Sequence, residues 1–185
     1  MSSDPGVRPI TDALPDERCP WAELDEAGNG LTVDNFLTTL MSQTGNALRR
    51  TITLPYAEEF GLTVSEWRLL SLLAHAKRLP FAELVLQSTS DKALVSRTLR
   101  LLEGRGLVEI QAEGATPRKR LTCLITPAGE ALHDQVMPIA RQRQAAMIRL
   151  LTPEERRVMY RSLRKLHRYC VSTPADDAGG DVNAD

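Results

Sequence analysis

Aromatic side chains are scarce in this sequence, at 4% of residues, so Leu and Ala must carry the packing, a composition that favours helices. Cysteine is nearly missing too: Cys19, Cys123 and Cys170 form an odd, scattered set without CxxC spacing. That excludes a disulfide framework or a zinc knuckle and leaves free thiols. His167 and Cys170 lie one helical turn apart, but no other His or Cys is near them in sequence and a metal site needs three or four ligands. No metal or cofactor is expected. No apolar run approaches the roughly 20 residues that span a bilayer, and the opening MSSDPGVRPITDALPDE lacks the basic-then-apolar order of a secretory signal. A cytoplasmic protein without a membrane partner is expected. His75 and the pair His133-Asp134 have no nucleophile elbow, phosphate loop or paired-carboxylate motif beside them, so no enzyme is expected.

An excess of one charge is also lacking, the net charge being −1 over 185 residues. Its distribution is informative. Residues 1–34 hold two arginines against eight acids, and residues 172–185 hold four aspartates and no cation. Residues 65–125 hold ten Lys or Arg against six acids, and residues 126–171 hold nine against four. Two acidic ends therefore mask a basic body, the charge pattern of a chain that meets a polyanion. At 42% hydrophobic residues the chain has enough apolar side chains for one or two modest domains.

The most informative stretch is Ser88 to Ile125, STSDKALVSRTLRLLEGRGLVEIQAEGATPRKRLTCLI. Val95, Leu99 and Leu102 recur at helical spacing as a buried stripe, which leaves Lys92, Ala93, Ser96, Arg97 and Arg100 on other faces. Ser90 and Asp91 favour the helix start, and Gly104 and Gly106 stop it. Leu107–Gln111 and Arg120–Ile125 are β-prone runs around a loop that holds Gly114, Pro117 and the cluster Arg118, Lys119 and Arg120. The expectation is a helix followed by a two-stranded wing with a cationic tip. Such a helix fits the major groove of double-stranded DNA, with Ser and Arg at base edges, and a thin basic loop fits the minor groove or the phosphates. The candidate DNA contacts are thus Lys92, Ala93, Ser96, Arg97, Arg100, Arg118, Lys119 and Arg120.

The rest of the chain frames that unit. Residues 1–29 read as a loose acidic arm, with Trp21 and Leu24 as its anchor. A helical pattern runs from Leu31 to about Phe60, kinked or broken by Pro55. Thr63-Val-Ser-Glu66 is a capping box for a helix that carries Trp67, Leu69, Leu70, Leu72 and Leu73 and ends near Arg78. PFAELVLQ, with Pro80 in its first turn, reads as a short helix, so that it and the Ser88 stretch make a helix-turn-helix. Thr126-Pro127 opens a long helix towards Leu150 with an expected kink at Pro138, and Thr152-Pro-Glu-Glu155 caps a last helix through Val171. The terminal helices show apolar stripes with too little of the chain to cover them, so a second copy is the expected partner. The fold class is mainly α, an α+β winged helix-turn-helix. A helical dimerisation region (31–62 and 127–171) flanks a DNA-binding domain (63–126), and an acidic tail (172–185) closes the chain.

In FGLTVSEWRLL, DKALVSRTLRLLEGRGLVEI and LITPAGEAL the chain resembles the MarR (multiple antibiotic resistance regulator) family of winged-helix transcription factors, over about Leu31 to Val171. The resemblance implies a homodimer with intertwined terminal helices that represses promoters at a pseudo-palindromic operator until a small anionic, often aromatic, ligand binds. Where the family often has Gly in the turn and Asp-x-Arg in the wing, this chain has Thr89 and Pro117-Arg118-Lys119. Arg118, and after it Arg120, match the wing arginine. The resemblance also implies a pocket between the first helix, the Trp67 helix and the long helix after the wing. Phe36, Leu40, Trp67 and His75 are candidates for its lining, and Arg49 or Arg68 for holding a carboxylate of an aromatic acid or its thioester. For Phe36 and Trp67, ordinary core packing is the competing reading. Two other functions fit the same chain. One is thiol-based redox sensing, although Cys19 lies upstream of the first helix with acids beside it. The other is a helical protein-interaction module that no longer touches DNA.

Overall fold

The computed structural model describes residues 19–113 and 120–172. The chain divides after Leu48 into two units.

In the first unit, Trp21 anchors the segment ahead of the first helix by donating its indole N–H to the Asn35 carbonyl at 2.8 Å. A single 3-10 turn, Val33–Asn35, leads into helix α1, Leu37–Leu48, which buries none of its residues. Phe36, Leu37, Leu40 and Met41 are exposed apolar side chains.

The second unit begins with a π-wound segment, Arg49–Thr53, and the short helix α2, Leu54–Glu59. Pro55 sits in the first turn of α2. Its ring nitrogen carries no hydrogen, so the α-helical bond to Thr51 cannot form and the winding changes there. Helix α3, Val64–Ala76, starts on the capping box that the sequence announces: Thr63 Oγ1 accepts from Glu66 N–H at 3.1 Å, and Glu66 Oε2 accepts from Thr63 N–H at 2.8 Å. It ends at Ala76, earlier than expected, because Lys77 turns left-handed at φ 65° and donates its N–H to the Leu73 carbonyl.

That turn frees Arg78–Pro80 to form a strand, β1, where the sequence pattern predicts the end of one helix near Arg78 and the first turn of the next at Pro80. Pro80 is extended and lies outside helix α4, Phe81–Ser88, which corrects the expectation that Pro80 occupies the helix's first turn. Helix α5, Lys92–Gly104, follows after three residues, then β2, Val108–Glu113, and β3, Arg120–Ile125. The sheet order is β1-β3-β2, antiparallel throughout, with Leu79 opposite Cys123 and Ile110 opposite the same cysteine on the other side. The wing's two strands are thus joined by a third at their base. Helix α6, Pro127–Ile148, carries Pro138 in its interior, and helix α7, Pro153–Ser172, starts on a second capping box between Thr152 and Glu155.

The core forms where α3 meets α4, α5 and α6, around Leu70, Leu73, Leu84, Val95, Leu99, Leu102 and Val136, all at most 1% exposed. The stripe read from the sequence as Val95, Leu99 and Leu102 is therefore the inner face of α5, and it fixes which residues of that helix look outward.

Candidate nucleic-acid interface

Helix α5 has its start set by Asp91, whose carboxylate accepts from Leu94 N–H at 2.8 Å. Val95, Thr98, Leu99 and Leu102 face inward, while Lys92, Ala93, Arg97 and Arg100 are exposed and Ser96 is half-buried at the edge of the face. The structure brings all five expected residues of this helix onto one solvent-facing side, where cations can meet a polyanion. Arg120 is exposed at the start of β3. Arg118 and Lys119 lie outside the described residues. Between α5 and the wing runs a cleft of about 410 Å³, lined by Phe81, Lys92, Ser96, Leu99, Arg100, Glu103, Ile110 and Leu121.

Five hydrogen bonds tie α5 and the base of the wing to each other and to the neighbouring helices. Glu103, on α5, accepts from the Ile110 N–H of β2 at 3.2 Å. Arg105, just past the end of α5, donates to the Gly61 carbonyl at 3.0 Å and to Glu66 Oε1 at 3.1 Å, so the buried Glu66 both caps α3 and holds the far end of α5. At the base of the wing, Thr126 Oγ1 donates to the Gly106 carbonyl at 2.7 Å and accepts from Gly129 N–H at 3.1 Å. The Thr63–Glu66 box is legible in the sequence but its pairing with Arg105 is not, because nothing local marks a partner 39 residues away.

The turn between α4 and α5 has its own anchor. Thr89 is left-handed, at φ 53° and ψ 31°. Arg68, on α3, donates through Nη1 to the Ser88 carbonyl at 2.9 Å and to Thr89 Oγ1 at 2.8 Å.

The residues expected to line a ligand pocket fall in both units. Phe36 and Leu40 belong to the first unit and are exposed there. Trp67 is buried in the core of the second unit, edge-on to Tyr56 at 5.8 Å between ring centroids and stacked on His133 at 5.6 Å. Arg68 is occupied at the turn, and His75 is exposed on the last turn of α3. Arg49 lines a separate cleft of about 410 Å³ with Leu54, Glu58, Gly61, Leu62, Thr63, Val64 and Ser65.

Of the cysteines, Cys19 and Cys170 are exposed and Cys123 is buried. Burial, reinforced by the Glu103 carboxylate, pushes the Cys123 thiol up from its ordinary 9.0 to about 11. Among the described residues, no helix is long and apolar enough to cross a membrane.

Residues 60–118 match the model of the MarR family. The fold is similar to that of a MarR/EmrR family transcriptional regulator from Acinetobacter sp. ADP1, at 23% identity and a TM-score of 0.66, over 77% of this chain and 100% of that one. It is also similar to a MarR family protein of Mycobacterium tuberculosis in complex with salicylic acid, at 27% identity and a TM-score of 0.59, over 74% of this chain and 99% of that one. A third similar structure is BpsR of Bordetella bronchiseptica, whose DNA binding is regulated by 6-hydroxynicotinic acid. There the identity is 27% and the TM-score 0.55, over 68% of this chain and 98% of that one. No curated relative matches the chain.

Proposed function

We propose that the chain is a winged-helix transcriptional regulator of the MarR type, a homodimeric, sequence-specific DNA-binding repressor released by a small aromatic acid or its thioester. The observation that carries the DNA-binding reading is the outer face of α5. Lys92, Arg97 and Arg100 stand exposed on a helix whose inner face is held rigidly by Val95, Leu99 and Leu102. A bidentate Arg can take the O6 and N7 edge of guanine, and Ser96 and Ala93 can meet other base edges. Arg120 at the wing, with Arg118 and Lys119 beside it in sequence, supplies phosphate or minor-groove contacts.

Dimerisation is supported by apolar side chains left without cover. Neither α1 nor α7 buries a residue, and Val158, Met159 and Leu166 of α7 are each at least 40% exposed. A second copy that covers these faces removes them from water. Two reading helices related by a twofold axis then meet half-sites about one helical turn, roughly 10 bp, apart.

The effector reading takes its chemical class from two similar proteins, bound to salicylic acid in one case and regulated by 6-hydroxynicotinic acid in the other. Arg49, which lines a cleft with Glu58 and the start of α3, is the cation proposed for the carboxylate.

The test is a titration of purified protein against its own promoter region at low salt, followed by candidate aromatic acids. The proposal expects a shift to a dimer-stoichiometry complex at a pseudo-palindromic site, reversed by an acid that also raises the thermal midpoint. No shift at low salt sinks it, and a single asymmetric footprint contradicts the dimer.

A further inference from the structure

Thr89 is β-branched yet sits in left-handed backbone, at φ 53°, where the Cβ branch crowds the neighbouring carbonyl. The residues around it explain how it stays there. Ser88, the last residue of α4, is fully buried, and its hydroxyl donates back to the Val85 carbonyl at 2.9 Å. The Ser88 carbonyl lies at the C-terminal end of α4, where no following amide of the helix can reach it. It accepts from Arg68 Nη1 at 2.9 Å, from Thr89 Oγ1 at 2.7 Å and from Ser90 Oγ at 3.3 Å. Arg68 Nη1 also donates to Thr89 Oγ1, so the threonine hydroxyl receives one hydrogen bond and gives another. A guanidinium at this spot further suits the negative end of the α4 helix dipole.

The turn spans only Thr89, Ser90 and Asp91, and Asp91 is already the cap of α5. The left-handed residue therefore sets the direction in which α5 leaves α4. We propose that Arg68 is a positioning residue for DNA reading: it clamps the turn in its strained conformation and so aims the outer face of α5, without touching DNA itself. This rests on the reading of α5 as the DNA-recognition helix. It differs from the sequence expectation of Arg68 as a carboxylate holder, since the same nitrogen serves both the carbonyl and the hydroxyl of the turn.

The proposal predicts rescue by glycine, which adopts left-handed backbone without strain. Four proteins are compared: wild type, Arg68→Met, Thr89→Gly and the double variant, with Arg68→Lys as a milder fifth should Arg68→Met fold poorly. Each is titrated on operator and on random duplex across a salt series, and its thermal midpoint is recorded. Arg68→Met is expected to weaken operator binding by about tenfold, in keeping with the loss of charge-assisted hydrogen bonds, while random-duplex binding changes by less than about twofold. In the Thr89→Gly background the same substitution is expected to change operator binding by less than about threefold, and to lower the midpoint less than it does alone.

Equal loss on both duplexes, with a salt slope flattened by about one, would make Arg68 a phosphate contact and overturn the clamp. Failure of Thr89→Gly to soften the effect would overturn it too. Should the wild type bind no DNA, the DNA-binding reading fails by itself. The midpoint cycle still decides whether Arg68 and Thr89 are coupled, and additive midpoints contradict the clamp.

Discussion

Gly129 occupies the first turn of α6 because the chain passes too close there for any side chain. A Cβ at that position would lie 2.1 Å from the Leu107 carbonyl oxygen and 2.9 Å from Ile125 Cγ1. The obstacle is backbone, which cannot step aside as a side-chain tip can. Gly129→Ala is expected to destabilise the fold by about 3 kcal/mol, the upper end for overpacking, as read from chemical denaturation. A change below about 0.5 kcal/mol would mean that α6 can slide off the wing base. The glycine was visible in the sequence only as part of PAGEAL. Its reason was not, because Leu107 lies 22 residues earlier and nothing local marks the approach.

Cys123 is a second case in which position decides chemistry. Fully buried between Leu79 and Ile110, it holds its proton to about 11, whereas the unfolded chain releases it near 9.0. The folded state therefore binds one proton more than the unfolded state between those values, and stability falls as pH rises through that window, by on the order of 2–3 kcal/mol. Below about pH 9 the contribution is fully present. Comparing Cys123→Val with the wild type from pH 8 to 11 isolates it: the wild type should lose stability relative to the variant, and parallel curves would contradict the burial argument. At neutral pH an alkylating reagent should label Cys19 and Cys170 and spare Cys123.

At the scale of elements, what was legible was local. The Thr63–Glu66 and Thr152–Glu155 boxes declare themselves through a four-residue pattern, and both form. The α5 stripe declares itself through helical spacing, and Val95, Leu99 and Leu102 are all buried. Strand β1 was hidden because three residues carry no period, and Arg78–Pro80 is a strand only through its pairing with Thr122–Leu124, some forty positions later. The left-handed turn was hidden for a different reason: Thr89 is a residue type that avoids that conformation, and its support comes from Arg68, 21 positions away. The link between Glu66 and Arg105 belongs to the same class. Because Glu66 is buried, Arg105→Ala leaves its carboxylate with the capping bond alone. A loss of about 1–3 kcal/mol of stability is expected, as for a buried group stripped of a charged partner. A loss no larger than for an exposed surface arginine would show that the latch contributes nothing.

For the whole molecule, the unburied apolar side chains of α1 and α7 set the expectation of a dimer. Leu166→Asp, placed on the exposed apolar side of α7, should lower the dimer fraction in sedimentation measurements at micromolar concentration while leaving the helical circular dichroism of the winged helix in place. An unchanged dimer would remove α7 from the interface. Charge acts at this scale as well. Two acidic ends bring the net charge to −1 although the body between them is basic, so composition alone conceals what the division along the chain reveals.

If α5 reads base edges and the wing grips the backbone, Arg97 and Arg120 must fail in different ways. Both are exposed cations, one on the outer face of the helix and one at the start of β3. Each is replaced by Ala and titrated on operator and random duplex across a salt series. Arg97→Ala should cost roughly 1–3 kcal/mol on the operator and barely change random-duplex binding, because it removes a base-specific contact. Arg120→Ala should weaken both duplexes alike and flatten the slope of log affinity against log salt by about one, as one fewer counterion is released. An Arg97→Ala protein that loses operator and random DNA equally would show that α5 is not the reading element.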